Sequence, residues 1–312
     1  MADVDYTQLE KRLGKQLLAR RLKIQSHHVV RLFGAGRARL HIGNIRILHR
    51  IMRRTLKVLG IYRIGYRNAM NLRVEQNEVF FSGLPQAFDG FRILHISDAH
   101  IDDNPKLLSI IQDKAGNLDY DICVFTGDFR EGTFEDYRIP SQHMAELVQN
   151  LNAPVYAVLG NHDCIEMVPL LESAGIRILL NERVVFERGK ASLYLLGVDD
   201  PHYYETDDLE KATEGMPNDA FCILLAHSPQ IIRKAAFSGV DFYLCGHTHG
   251  GQTCLPGGHP ILANSRCRKD QRKGAWKYHR LQGYTSRGAG TSSVNVRFNC
   301  PPEITVHTLR CK

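Results

Sequence analysis

The chain has 312 residues, 43% hydrophobic and 23% charged, which supports a sizeable buried core and excludes a disordered or fibrous chain. Its net charge of +7 is unevenly placed: residues 1–75 hold 17 Lys and Arg against 4 Asp and Glu, a surplus of 13, so the remainder carries −6. A basic arm on an acidic body points to an anionic partner, either a membrane surface or a nucleic acid.

Residues 6–24 place Leu9, Leu13, Leu17, Leu18 and Leu22 at helical spacing, with Lys11, Arg12, Lys15, Arg20 and Arg21 largely opposite. Residues 41–59 repeat the pattern: Ile45, Leu48, Met52, Leu56 and Leu59 form a stripe among Arg46, Arg50, Arg53, Arg54 and Lys57. Such helices suit a membrane interface, with cations toward anionic head groups. Equally, the stripes suit packing on the body, with the arginines solvated. The pairs Arg20-Arg21 and Arg53-Arg54 could pass for export signals, but Arg31 and Arg63 interrupt the apolar stretch each would need. No run approaches a membrane span. The expectation is a cytoplasmic protein, peripheral on the inner face of the membrane if the arm meets lipid. Its parts are a basic helical extension, 1–75, and a main domain, 76–312.

From Phe91 short apolar runs alternate with helical segments: FRILHIS, a helix from about Lys106, DICVFTG, a helix around 141–151, PVYAVLG and a helix from Glu166. VVFER and SLYLLGV read as an antiparallel pair, followed by FCILLAH, a helix near 229–236, DFYLCG and finally EITVHTL. The alternation argues for an α/β architecture, and the hairpin-like pieces argue for mixed sheets. Of the eight cysteines none forms a C-x-x-C pair, which argues against a zinc ribbon or thioredoxin-type site. Cys123, Cys222 and Cys245 fall in strand-like runs as small hydrophobes, and reduced thiols suit the cytoplasm.

Five polar clusters stand at the ends of those runs: Asp98 and His100 in SDAH, Asp128 in TGD, Asn161, His162 and Asp163 in GNHD, His227, and His247 with His249 in GHTH. Strand carboxyl ends of α/β proteins converge on one edge, so residues distant in sequence can meet there. Gly127, Gly160 and Gly246 allow the sharp turns this needs. One Asp-x-His after a strand is commonly a solvated turn, and one histidine commonly a hydrogen-bonded core residue; five such clusters in order are not. Asp, Asn and His without cysteine suit Mn²⁺, Fe, Zn²⁺ or Mg²⁺. The candidates exceed what one ion takes, and two ions sharing a carboxylate give the layout of a two-metal hydrolase acting at phosphorus.

In D-x-H at 98–100, G-D at 127–128, G-N-H-D at 160–163, His227 and G-H-T-H at 246–249 the chain resembles the calcineurin-like metallophosphoesterases over roughly residues 85–312. LPQAFDGFRILHISDAH, GHTHGGQ and the tail SRGAGTSSVNVRFNCPPEITVHTL are similar to the YkuE-type branch of bacterial phosphodiesterases. Phosphoprotein phosphatases match less well: they carry G-N-H-E where this chain has Asp163, and D-R-G where it reads GDFREG.

The resemblance implies a four-layer α/β/β/α sandwich with two divalent metal ions, Mn²⁺ foremost and Fe, Zn²⁺ or Mg²⁺ as alternatives. It assigns one ion to Asp98, His100, Asp128 and His249, and the other to Asp128, Asn161, His227 and His247, with a bridging hydroxide as nucleophile. His162 would give a hydrogen bond or proton to the phosphoryl or leaving oxygen, with Asp163 orienting its ring. Arg287 would approach the substrate phosphate or, alternatively, form a structural ion pair. The implied reaction is hydrolysis of a phosphodiester or pyrophosphate, in its sharper form on a lipid-linked substrate such as UDP-2,3-diacylglucosamine. An alternative is a nuclease or cyclic-nucleotide-type phosphodiesterase, with the arm and the stretch 265–280 tracking phosphates and Trp276 and Tyr278 stacking on bases. A non-catalytic scaffold is disfavoured, because no candidate ligand is missing.

Overall fold

The computed structural model describes residues 4–26, 46–133, 135–261 and 267–312. The chain opens with helices α1 (Tyr6–Leu13) and α2 (Lys15–Ser26). Asp5 caps the first, accepting from Thr7 N at 2.9 Å, and Gly14 (φ 87°) ends it in a conformation that costs a glycine little. Leu9, Leu13 and Leu18 are buried in the core of the body, so this part of the arm spends its apolar face on the protein itself. Arg12 fastens it, reaching Glu172 at 2.9 Å and Glu182 at 2.8 Å.

Helices α3 (Arg46–Val58) and α4 (Tyr62–Ala69) behave differently. Ile51, Met52, Val58 and Leu59, on one face of α3 with Thr55, are 54%, 37%, 87% and 63% exposed. Residues 41–45 of the expected second helix lie outside the described residues, as do 265–266 of the later basic stretch.

Strand β1 (Arg73–Phe81) follows, so a division at 75/76 falls inside a strand of the body. Then come β2 (Arg92–Ile96), α5 (Lys106–Gly116), β3 (Ile122–Phe125), α6 (Arg138–Val148), β4 (Val155–Ala157), α7 (Met167–Ser173) and β5 (Ile176–Ile178). The second half runs β6 (Glu182–Arg188), β7 (Ala191–Gly197), α8 (Leu209–Thr213), β8 (Phe221–Leu225), α9 (Ile232–Phe237) and β9 (Phe242–Cys245). A two-stranded ribbon, β10 (Cys254–Leu255) and β11 (His259–Pro260), precedes β12 (Gly274–Tyr278), β13 (Leu281–Thr285) and β14 (Glu303–Cys311).

Two six-stranded mixed sheets result, ordered β1-β14-β2-β3-β4-β5 and β12-β13-β9-β8-β7-β6. The returning β14 lies between β1, to which it is parallel, and β2, to which it is antiparallel. Side chains alternate across each strand. Ile93, Val124 and Val158 from the first sheet meet Leu195, Ile223 and Leu244 of the second in the central core. Leu94, Cys123 and Phe125 face outward onto α5, α6 and α7, whereas Leu196, Cys222 and Tyr243 face α8 and α9. This is the expected four-layer α/β/β/α sandwich. The parallel strands β2, β3, β8 and β9 therefore deliver their carboxyl ends to one edge.

Candidate metal centre

Every polar cluster expected at that edge is there. Asp98, His100, Asp128, His227, His247 and His249 are all less than 9% exposed, and five of them have positive φ: Asp98 at 50°, His100 at 41°, Asp128 at 55°, His247 at 70° and His249 at 48°. Left-handed backbone is unfavourable for residues bearing a Cβ and persists where the surroundings impose it, typically at functional sites. Gly127 makes a turn at φ 86°, but Gly160 and Gly246 serve by their small size. A Cβ on Gly160 would stand 2.2 Å from Asp128 Oδ1, and one on Gly246 would stand 2.1 Å from Asp98 Oδ2.

The ligand-capable atoms fall into two groups, Asp98 with His100 and His249, and Asp128 with His227 and His247, each gathered within 4.8 Å. In the first, His249 Nε2 is 3.2 Å from His100 Nε2 and 3.4 Å from Asp98 Oδ1. In the second, His227 Nε2 is 3.2 Å from Asp128 Oδ2 and from His247 Nδ1. Asp128 Oδ2 also lies 3.8 Å from His100 Nε2, so one carboxylate stands between the groups. Asn161 Oδ1 enters the second group, 2.8 Å from His247 Nδ1 and 3.0 Å from His227 Nε2.

The far sides of the rings are anchored. His227 Nδ1 donates to the Thr126 carbonyl at 2.7 Å, and His100 Nδ1 lies 3.0 Å from both the Arg130 carbonyl and Glu131 Oε2. With Nδ1 anchored, Nε2 of each of these rings faces inward, the orientation that metal-ligating histidines require. Burial raises the pKa of Asp98, and Asp128 adds to that. Asp128 itself is held well below the usual carboxylate range, because His227, His162 and His100 outweigh its burial. His227 is buried too, but Asp128 outweighs that burial and lifts it to about 10. Two carboxylates desolvated this far, with imidazole nitrogens gathered around them, form a donor set that a divalent cation would suit in place of the ring protons.

His162 is half-buried, its ring centroid 5.2 Å from that of His100 and perpendicular to it. The expected partnership with Asp163 does not form. Asp163 is fully buried and points back under the turn, its carboxylate accepting from Asp128 N, Gly160 N and Phe129 N at 2.8, 2.8 and 2.9 Å. The His162 ring is set instead by the Glu131 carbonyl and Thr133 Oγ1, each 3.0 Å from Nδ1. Arg287 is likewise withdrawn: its guanidinium is ion-paired with Glu75 at 2.5 Å and with the buried Glu303, the structural alternative. Trp276 is 6% exposed and donates to Thr285 Oγ1, so it is a core residue with no face free for a base.

Ser97, Glu131 and Arg297 complete the setting and were not foreseen. Ser97 Oγ donates to Asp98 Oδ2 at 2.6 Å. Fully buried Arg297 gathers the Gly288 and Gly290 carbonyls and lies 3.4 Å from His249 Nδ1. Ser97 stands inside SDAH and Glu131 is an acid three residues after Asp128 in GDFREG, whereas Arg297 has no such signal in the sequence.

The sequence profile of the calcineurin-like phosphoesterases matches residues 91–251, just over half of the chain, and contains every residue of both groups. The chain belongs to the calcineurin-like phosphoesterases. As a member it is a metal-dependent phosphoric ester hydrolase, and each of the two clusters could hold a divalent ion. It is 29% identical over 255 residues to the metallophosphoesterase YkuE of Bacillus subtilis (strain 168), covering 77% of this chain and 86% of that one. A metallophosphoesterase of Aquifex aeolicus (strain VF5) is 29% identical over 275 residues, 82% of this chain and 97% of its own. The phosphodiesterase YaeI of Escherichia coli (strain K12) is 28% identical over 228 residues, 69% of this chain and 81% of its own.

Proposed function

We propose that this calcineurin-like phosphoesterase hydrolyses a phosphodiester or pyrophosphate bond with two divalent ions, Mn²⁺ foremost, held by the two clusters. Asp98, His100 and His249 hold one, Asn161, His227 and His247 the other, and Asp128 serves both. The observation that carries the reading is the position of Asp128 Oδ2, within 4 Å of an imidazole from each group. Bound ions at such a pair supply Lewis-acid activation of water and neutralise charge developing at phosphorus.

His162 supplies what the ions do not. With Nδ1 committed to the Glu131 carbonyl, its other ring nitrogen is free to hold a proton for the leaving oxygen. His227 N–H and His100 N–H stay bound to backbone carbonyls, which fixes ring orientation while substrate enters. No side chain needs to become a covalent nucleophile.

For the substrate we favour a lipid-linked nucleoside diphosphate of the UDP-2,3-diacylglucosamine kind, met at an anionic membrane surface. The support is α3. Ile51, Met52, Thr55, Val58 and Leu59 form one exposed face, and Arg50, Arg53, Arg54 and Lys57 the other. The chain has no Asp or Glu between Glu10 and Glu75. An exposed apolar face that meets no partner among the described residues, backed by cations, fits the interface of an anionic bilayer. Among the described residues no helix is long and apolar enough to cross a membrane, so α3 would lie along the surface. Helix α4 ties it to the site: Asn68 donates to the Arg297 carbonyl at 3.0 Å, and Arg297 reaches His249.

The test is product analysis by mass spectrometry. Mn²⁺-loaded enzyme is given UDP-2,3-diacylglucosamine in mixed micelles, with Asp128→Asn as blank and bis(p-nitrophenyl) phosphate as control. UMP and a lipid monophosphate, absent from the blank, are expected. Cleavage of the control alone would remove the lipid substrate and leave a phosphodiesterase.

A further inference from the structure

Arg21 is an unusual residue for a surface arm. It is 0% exposed, with Nη1 2.5 Å from Asp199 Oδ1, Nη2 3.0 Å from the Asp163 carbonyl, and its guanidinium 4.0 Å above the Tyr204 ring. Burying a guanidinium is costly, and an apolar residue of similar size often stabilises as well. Stability alone is therefore a weak reason for placing one here.

Its partners supply another reason. Asp163 immediately follows His162, and α1 and α2 grip the turn there at successive points. Gln25 Oε1 accepts from Ile165 N at 3.1 Å, Gln25 Nε2 donates to Glu166 at 2.6 Å, and Tyr6 OH donates to Glu166 at 2.8 Å. The body holds the other side: His162 N donates to Asp128 Oδ1 at 2.9 Å, and Arg130 Nε donates to the His162 carbonyl at 2.8 Å. The turn that follows His162 is thus held by the arm, while the His162 peptide itself is held by the body.

Asp199 begins a second loop. Asp200 caps it by accepting from the amides of His202, Tyr203 and Tyr204 at 3.0, 2.6 and 2.8 Å, and the His202 ring centroid stands 4.0 Å from that of His247. One buried guanidinium therefore joins the loop after His162 to the loop beside His247. All three arm residues, Tyr6, Arg21 and Gln25, lie outside the family match at 91–251.

We propose that Arg21 is a positioning residue for His162, and that α1 and α2 are a working part of the active site of this chain. The proposal rests on the reading of His162 as proton donor to the leaving group. Arg21 touches no reacting atom; it fixes the turn from which the imidazole must reach the leaving oxygen.

The experiment compares full-length Mn²⁺-loaded wild type, Arg21→Met, Arg21→Lys and His162→Ala on two diesters. Bis(p-nitrophenyl) phosphate has a leaving group that departs unprotonated, whereas diphenyl phosphate has one that needs a proton. His162→Ala is expected to lose roughly a hundredfold more turnover on diphenyl phosphate than on the nitrophenyl ester. Arg21→Met is expected to lose about tenfold more, with KM little changed, and Arg21→Lys less, since it keeps the charge but not the fork. Hydrogen exchange should rise in Arg21→Met at residues 160–168 and stay unchanged in β8. If Arg21→Met does not fold, Gln25→Ala gives the same comparison from a half-buried position. Equal losses on both esters, or none, while His162→Ala discriminates, would overturn the role of Arg21. Failure of His162→Ala to discriminate would overturn the donor reading and the proposal with it.

Discussion

Asp128 Oδ2 stands 3.2 Å from His227 Nε2, although the two residues come from different sheets, Asp128 after β3 of the first and His227 after β8 of the second. The site is a seam across the open edge of the sandwich. Each group of potential ligands draws on both sheets, so forming the central core also assembles the donors.

Asp128→Asn removes the charge common to both groups. Bound Mn²⁺, measured by elemental analysis after gel filtration, is expected to fall from two equivalents to at most one. Turnover should drop by at least roughly a hundredfold.

His162→Ala leaves the metal donors intact. The variant is expected to retain both ions while turnover on an ester with a poor leaving group falls by about 10²–10⁴. An undiminished rate would exclude His162 as the donor.

Glu131 stands behind His100, 3.0 Å from Nδ1, and also accepts from the Ser293 amide at 2.8 Å. Glu131→Gln should weaken Mn²⁺ affinity about 10–100-fold with little loss of melting temperature, as outer partners of ligating histidines do. Isothermal titration calorimetry on the metal-stripped protein reads this directly.

His95 and His307 lie fully buried between the sheets, their facing nitrogens 3.3 Å apart. Burial holds both neutral, lowering His95 to about 3 and His307 well below its usual value, with His95 contributing to the second shift. Above the unfolded pKa of about 6.5 neither state takes a proton, and stability is full. Below it the unfolded chain is protonated while the folded one is not, so stability falls as pH drops toward the folded values, at about 1.4 kcal/mol per pH unit for each histidine. Urea melts at pH 7 and pH 5 should show this acid loss in the wild type, reduced by about half in its buried-histidine part in His307→Phe.

Val58→Asp and Ile51→Asp place a charge on the exposed face of α3. Binding to vesicles containing phosphatidylglycerol, measured by flotation, is expected to fall at least about tenfold, with turnover on bis(p-nitrophenyl) phosphate unchanged. Unaltered flotation would remove α3 as the membrane element.

The candidate metal donors are legible because their chemistry is local: each motif ends an apolar strand run, and ligand chemistry limits the residue types. The layered fold followed from the same alternation. What packs against what was less legible. The stripes of 6–24 and 41–59 look alike in sequence, yet Leu13 is core while Val58 is 87% exposed. Amphipathicity records a face and not its partner. Strand β1 was hidden because its polar residues, Glu75, Gln76 and Asn77, lie on an edge strand and break the apolar signal. The sequence leaves Arg287 open between substrate and ion pair, and it cannot show which way Asp163 points: Glu303 and Gly160 determine where those side chains go, and tertiary structure alone brings Glu303 to its place.

If Asp128 serves two ions, both must be visible in one crystal. Crystals soaked in Mn²⁺, with anomalous difference maps at the manganese edge, test it most directly. Two peaks about 3.5–4 Å apart are expected, with Asp128 between them, one beside Asp98, His100 and His249 and the other beside Asn161, His227 and His247. A single peak at saturating Mn²⁺, or two that do not share Asp128, would contradict it.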